Sequence, residues 1–96
     1  MNREQYLLAQ ASSECSEVAS RIAKALQFGL FDVQPEQFQT NEQRLVSEFL
    51  GLLGVFEMLS DEGFISLPEE NLIQLAVATK KAKVEKGFRS KNVART

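Results

Sequence analysis

The chain has 96 residues, 44% of them hydrophobic and 25% charged, with a net charge of −2. That length suits one domain with a thin core, the composition excludes wholesale disorder, and the weak charge gives no reason to bind a nucleic acid polymer or an anionic membrane. One cysteine, Cys15, and no histidine exclude an intramolecular disulfide, the usual zinc sites and any mechanism that needs imidazole.

No apolar run approaches the ~20 residues that span a bilayer. The polar start Met1-Asn2-Arg3-Glu4-Gln5 lacks the pattern of a signal peptide. The expected location is therefore cytoplasmic.

Periodicity predicts an all-α fold of three main helices, at about 3–30, 41–61 and 67–86, forming a single domain over 1–96. In the first, Leu8, Ala11, Cys15, Val18, Ile22 and Leu26 recur at three- and four-residue steps, which is one face of an amphipathic helix. Cys15 sits in that stripe and reads as a small buried apolar residue. Gly29 is placed to end the helix.

Phe31 to Gln39 reads as a connection, since Asp32, Pro35 and several glutamines break any period. Phe31, Val33 and Phe38 are expected to pin it to the core. Phe28, Phe31 and Phe38 also have the flat faces needed to stack on a base, but core packing is the expected role.

Thr40 followed by Gln43 fits a capping box and predicts the start of the second helix. Its stripe is Leu45, Phe49, Leu52, Phe56 and Leu59, and it is expected to end near Ser60-Asp61-Glu62-Gly63. Gly51 and Gly54 cost roughly 1 kcal/mol each inside a helix, which close helix–helix approach would explain.

Ser66-Leu67-Pro68-Glu69 combines an N-cap, an early proline and a capping-box glutamate, and predicts the third start. Leu72, Leu75, Ala76, Thr79 and Ala82 lead to Val84. Gly87 is expected to end or weaken this helix, and the basic tail 88–96 to fray.

Three placements carry chemistry. Glu14 and Glu17, at i and i+3, put two carboxylates on one flank of the first helix, and such hard oxygens suit Mg²⁺. Glu48 borders the second stripe by a similar angle and in the same rotational sense. The residue that would complete its pair is Gly51, which offers no ligand. The third placement is the basic series Lys80, Lys81, Lys83, Lys86, Arg89, Lys91 and Arg95, which either complements a helix dipole or grips phosphates. Plainer readings stand beside these: Glu17–Arg21 and Arg44–Glu48 are i, i+4 pairs worth a few tenths of a kcal/mol, and the lysines suit a solvated helix end.

Taken together, these residues resemble a known family. Leu8-Ala9-Gln10-Ala11-Ser12-Ser13-Glu14-Cys15-Ser16-Glu17-Val18-Ala19 resembles the first helix of the MazG-like, all-α nucleoside triphosphate pyrophosphohydrolases, in particular the short phage and bacterial type. Ala23 to Leu30, Asn41 to Leu45 and Lys81 to Lys86 extend the likeness, which runs from about Tyr6 to Lys86. The family carries an ExxE pair on one helix and an ExxD pair on the next. The resemblance implies helical bundles completed by oligomerisation, as a homodimer or homotetramer. It also implies cleavage of a nucleoside triphosphate to monophosphate and pyrophosphate with Mg²⁺ (or Mn²⁺). Glu14, Glu17 and Glu48 match the metal-holding catalytic carboxylates, and Lys83 and Lys86 the phosphate contacts. Gly51 stands where the final aspartate belongs. The alternative is a catalytically degenerate nucleotide-binding or protein-interaction module of the same fold.

Overall fold

The computed structural model describes residues 1–94, with side chains through Lys91. These residues form three helices, α1 (Arg3–Phe28), α2 (Asn41–Asp61) and α3 (Glu70–Ala94), and no strand. The all-α, three-helix expectation holds. The chain divides into two compact units, Met1–Ile65 and Ser66–Thr96. No helix among the described residues is long and apolar enough to cross a membrane.

The first unit is an antiparallel hairpin of α1 and α2. Asn2 caps α1, accepting from the Gln5 N–H at 2.8 Å while its own N–H donates to Gln5 Oε1. Gly29, at φ +99°, ends α1 two residues earlier than expected. The predicted capping box opens α2: the Gln43 N–H donates to Thr40 Oγ1 and the Thr40 N–H to Gln43 Oε1. At the far end, Gly63 takes φ +80° and the Phe64 N–H reaches back to the Leu59 carbonyl at 2.9 Å. This turn satisfies carbonyls that a helix end leaves orphaned.

Both ends of the hairpin are tied. At the closed end, the buried side chain of Asn41 donates to the Gly29 carbonyl, and the Asn41 N–H donates to the Asp32 carbonyl. At the open end, Arg3 grips Glu62 with two hydrogen bonds of 2.8 Å. Between them the seam buries Leu7, Ala11 and Leu59. Val18 and Ala25 on α1, and Leu45, Leu52 and Val55 on α2, are half-buried along it.

This seam keeps Ala11 and Val18 of the predicted α1 stripe and leaves out its other members. Leu8, Cys15, Ile22 and Leu26 are exposed, because α1 turns the neighbouring face, from Leu7 to Ala25, toward α2. The connection differs too: Phe31 is 76% exposed and Phe38 fully so. It is held by backbone bonds from Asn41 and Glu42, and by a turn in which the Gln37 N–H meets the Gln34 carbonyl, not by aromatic packing.

In the second unit, α3 starts at Glu70, later than predicted. Leu67 precedes a proline and so favours extended backbone, and the Ile73 N–H closes the first turn on the Glu69 carbonyl. The helix runs through Gly87 to Ala94, so Gly87 does not end it. All its described residues except the half-buried Ile73 are exposed.

Candidate functional site

Glu14 and Gly51 meet across the seam. A Cβ built on Gly51 would lie 3.0 Å from Glu14 Oε2 and 3.4 Å from its carboxyl carbon. The register that brings them together is the one set by Arg3 and Glu62, since equal steps inward along α1 and α2 lead from one pair to the other. Continuing at the same step, Glu17 comes level with Glu48, and Arg21 with Arg44.

Angle decides which side of the seam these residues occupy. Leu7 and Leu59 mark its centre. At about 100° per residue, Glu14, Glu17 and Arg21 on α1, and Arg44, Glu48 and Gly51 on α2, lie within about 20–80° of that centre in one rotational sense. On antiparallel helices the same rotational sense means the same side. One flank of the hairpin is therefore polar, and it holds the three carboxylates singled out in the sequence. The other flank carries Leu8, Cys15, Ile22, Leu26, Phe49, Leu53 and Phe56, all exposed. It runs into a shallow apolar groove lined by Ile22, Ala25, Leu26, Leu30 and Leu45.

The carboxylates differ in setting. Glu14 and Glu48 are half-buried, while Glu17 is exposed and lies 3.8 Å from an Arg21 nitrogen. The expected Arg44–Glu48 ion pair does not form: the ion pairs of the described residues are Arg3–Glu62, Glu17–Arg21 and Glu85–Arg89. Among the described residues no group of three or more acidic, cysteine or histidine side chains is gathered closely enough to hold a metal ion. The flank is thus an open row of carboxylates with a gap at Gly51.

Two side chains here were read from the sequence only as ion-pair partners. The Arg21 side chain is 16% exposed, and its Nε is buried without a hydrogen-bond partner. Arg44 is half-buried and makes no ion pair among the described residues. Their i, i+7 spacing from Glu14 and Gly51 is the sequence signal that could have found them.

Lys83 and Lys86 lie on α3, exposed, in the second unit. Arg95, the last of the basic series, lies outside the described residues. Comparison of the chain with family models, curated proteins and solved structures finds no match.

Proposed function

We propose that the chain is a divergent, Mg²⁺-dependent nucleoside triphosphate pyrophosphohydrolase of the MazG-like kind, working as a homodimer or homotetramer. The observation that supports this most is the meeting of Glu14 with Gly51. It sets the Glu14/Glu17 pair opposite the Glu48/Gly51 pair, as paired carboxylate motifs on neighbouring helices require.

The donor set suits the metal chemically. Mg²⁺ prefers hard oxygen, keeps several waters, and commonly rests on one or two carboxylates plus substrate phosphates instead of a protein cage. Glu14 and Glu48 are the half-buried candidates and Glu17 the exposed one. The ion, when bound with the polyphosphate, supplies charge neutralisation and polarises the phosphoryl oxygens. Glu14, Glu17 and Glu48 would hold it, and a carboxylate of the row left free would take the proton of the water whose oxygen bonds to phosphorus as pyrophosphate departs. Lys83 and Lys86 are the proposed further phosphate contacts.

Assembly is supported by the thinness of the core. Only Leu7, Ala11 and Leu59 are buried apolar side chains among the described residues. So small a core gives little stability to a chain of this length. The apolar flank is the surface on which a second copy would complete the bundle.

Pyrophosphate release from a panel of ribo- and deoxyribonucleoside triphosphates, with Mg²⁺ or Mn²⁺, tests the reading. Release is expected from the wild type and not from Glu14→Gln or Glu48→Gln. Equal release from both variants would overturn the site assignment. The second reading, a nucleotide-binding module without turnover, is favoured by the missing ligand at Gly51. It expects nucleotide binding with no release under any metal.

A further inference from the structure

Arg21 and Arg44 stand on the polar flank at one level of the hairpin, two turns from the Glu14–Gly51 contact. Seven residues separate Arg21 from Glu14 and Arg44 from Gly51, a rotation of only about 20° from a whole number of turns and about 10 Å along the axis. The faces that bring Glu14 against Gly51 therefore bring the two arginines toward each other. Both are half-buried.

Their charges are poorly answered. The carboxylate nearest Arg21 is that of Glu17, 3.8 Å away and half in solvent, and the buried Nε has no partner. Arg44 has no ion-pair partner at all among the described residues. Burying a charged donor without an acceptor costs free energy. Two cations at one level add repulsion. A ligand with several closely spaced anionic oxygens removes both penalties, and guanidinium forks match phosphate oxygens in pairs.

We propose that Arg21 and Arg44 form a binding site for the pyrophosphate moiety, free or as part of a polyphosphate. The site extends the functional reading above and rests on it for the ligand's remaining part. Charge along the flank gives the ligand a direction. The two arginines lie toward the closed end of the hairpin, and Glu14, Glu17 and Glu48 begin about one turn further toward the open end. A short polyphosphate fits this order, with its free phosphates on the arginines and its metal-chelating oxygens facing the carboxylates. A continuous polyanion does not fit, because the carboxylates would repel its next phosphates.

Titration calorimetry of the full chain with inorganic pyrophosphate, in EDTA so that no metal contributes, tests the proposal. The wild type is expected to bind. Arg21→Gln and Arg44→Gln should each weaken binding at least about tenfold, since two charge-assisted hydrogen bonds are lost in each. Glu14→Gln should bind as tightly as the wild type or more so. Arg44→Lys, which keeps the charge and the stem, should recover part of the loss. Arg44→Gln removes a side chain without an ion-pair partner, so the helical circular dichroism signal is expected to survive it and report an intact fold. No binding by the wild type, or equal binding by wild type and both glutamine variants, overturns the proposal. Arginine-dependent binding in a chain that hydrolyses no triphosphate would leave this site standing and remove the hydrolase reading. Triphosphate turnover with unchanged kcat/KM and unchanged pyrophosphate binding in both variants would do the reverse.

Discussion

The carboxylate of Glu14 occupies the space into which a side chain at Gly51 would grow, with Oε2 3.0 Å from the position of the absent Cβ. The atom in the way is the far end of a flexible side chain, so a larger residue at 51 displaces it at little cost. Gly51→Asp is therefore expected to fold. It would put a fourth carboxylate beside Glu14 and raise Mg²⁺ affinity about tenfold or more, in line with one added charged ligand. Isothermal titration with Mg²⁺ reads this directly, and unchanged affinity would mean that the flank does not gather around a metal.

Alanine at the two α2 glycines separates room inside the hairpin from room kept for something else. A Cβ at Gly54 meets nothing within 4 Å, so Gly54→Ala is expected to stabilise the chain by about 1 kcal/mol through helix propensity alone. Gly51→Ala should gain less, because Glu14 has to yield. Denaturant melts measure both. A loss of stability and of assembly in Gly54→Ala would mark it as the point where a second copy approaches.

The clasp between Arg3 and Glu62 predicts a pH effect. The Arg3 guanidinium holds the Glu62 carboxyl below the usual carboxylate range, first through its hydrogen bonds and also through its charge. Arg3 is raised from an already high value by the same contact and stays charged at every accessible pH. A carboxyl lowered in the folded state contributes stability above its unfolded pKa of about 4.3 and loses it as pH falls through the folded value. The difference in Tm between wild type and Glu62→Gln should therefore be full near neutrality and vanish in acid. High salt should reduce it, since both side chains are solvent-exposed. A difference that persists at low pH would assign the effect to packing.

The turn at Gln34–Gln37 holds Glu36 at φ +65°, behind Pro35. Side chains other than glycine pay about 1–2 kcal/mol there, and glycine returns part of that gain as unfolded-state entropy. Glu36→Gly is expected to stabilise the chain by up to about 1 kcal/mol in thermal melts. A clear loss would show that the Glu36 side chain has a partner in the assembled protein.

Leu7→Ala and Leu59→Ala should each cost about 2–4 kcal/mol, the usual penalty for emptying a packed site. Phe49→Glu and Phe56→Glu, on the exposed apolar flank, should leave the hairpin folded and reduce assembly in light scattering. If the Phe variants also lower stability in chains that stay monomeric, the flank is covered from within the chain.

Helix ends were legible where a polar cap speaks for itself: Thr40 and Gln43 fixed the start of α2, and Gly63 its end. Sidedness was harder. The run Leu8, Cys15, Ile22, Leu26 is the more apolar face of α1, yet α2 packs on the face that includes Glu14 and Arg21. Hydrophobic periodicity finds the greasiest stripe, and a helix with two surfaces to cover need not spend that stripe on its nearest neighbour. The same limit hid the arginines. Their role depends on which residue lies across the seam, and a single helix carries no such register. Glu14 and Gly51 were visible as motif positions, whereas their meeting needed the fold.

The clasp at the open end also bears on kinetics. Arg3 and Glu62 are separated by nearly the whole hairpin in sequence, while Gly29 and Asn41 sit close together at its closed end. Closing a short loop costs less entropy than closing a long one, so the hairpin is expected to zip from Asn41 outward, with the clasp forming last. A contact absent from the transition state acts on the escape rate. Added salt should therefore speed unfolding of this chain and leave its refolding rate nearly unchanged.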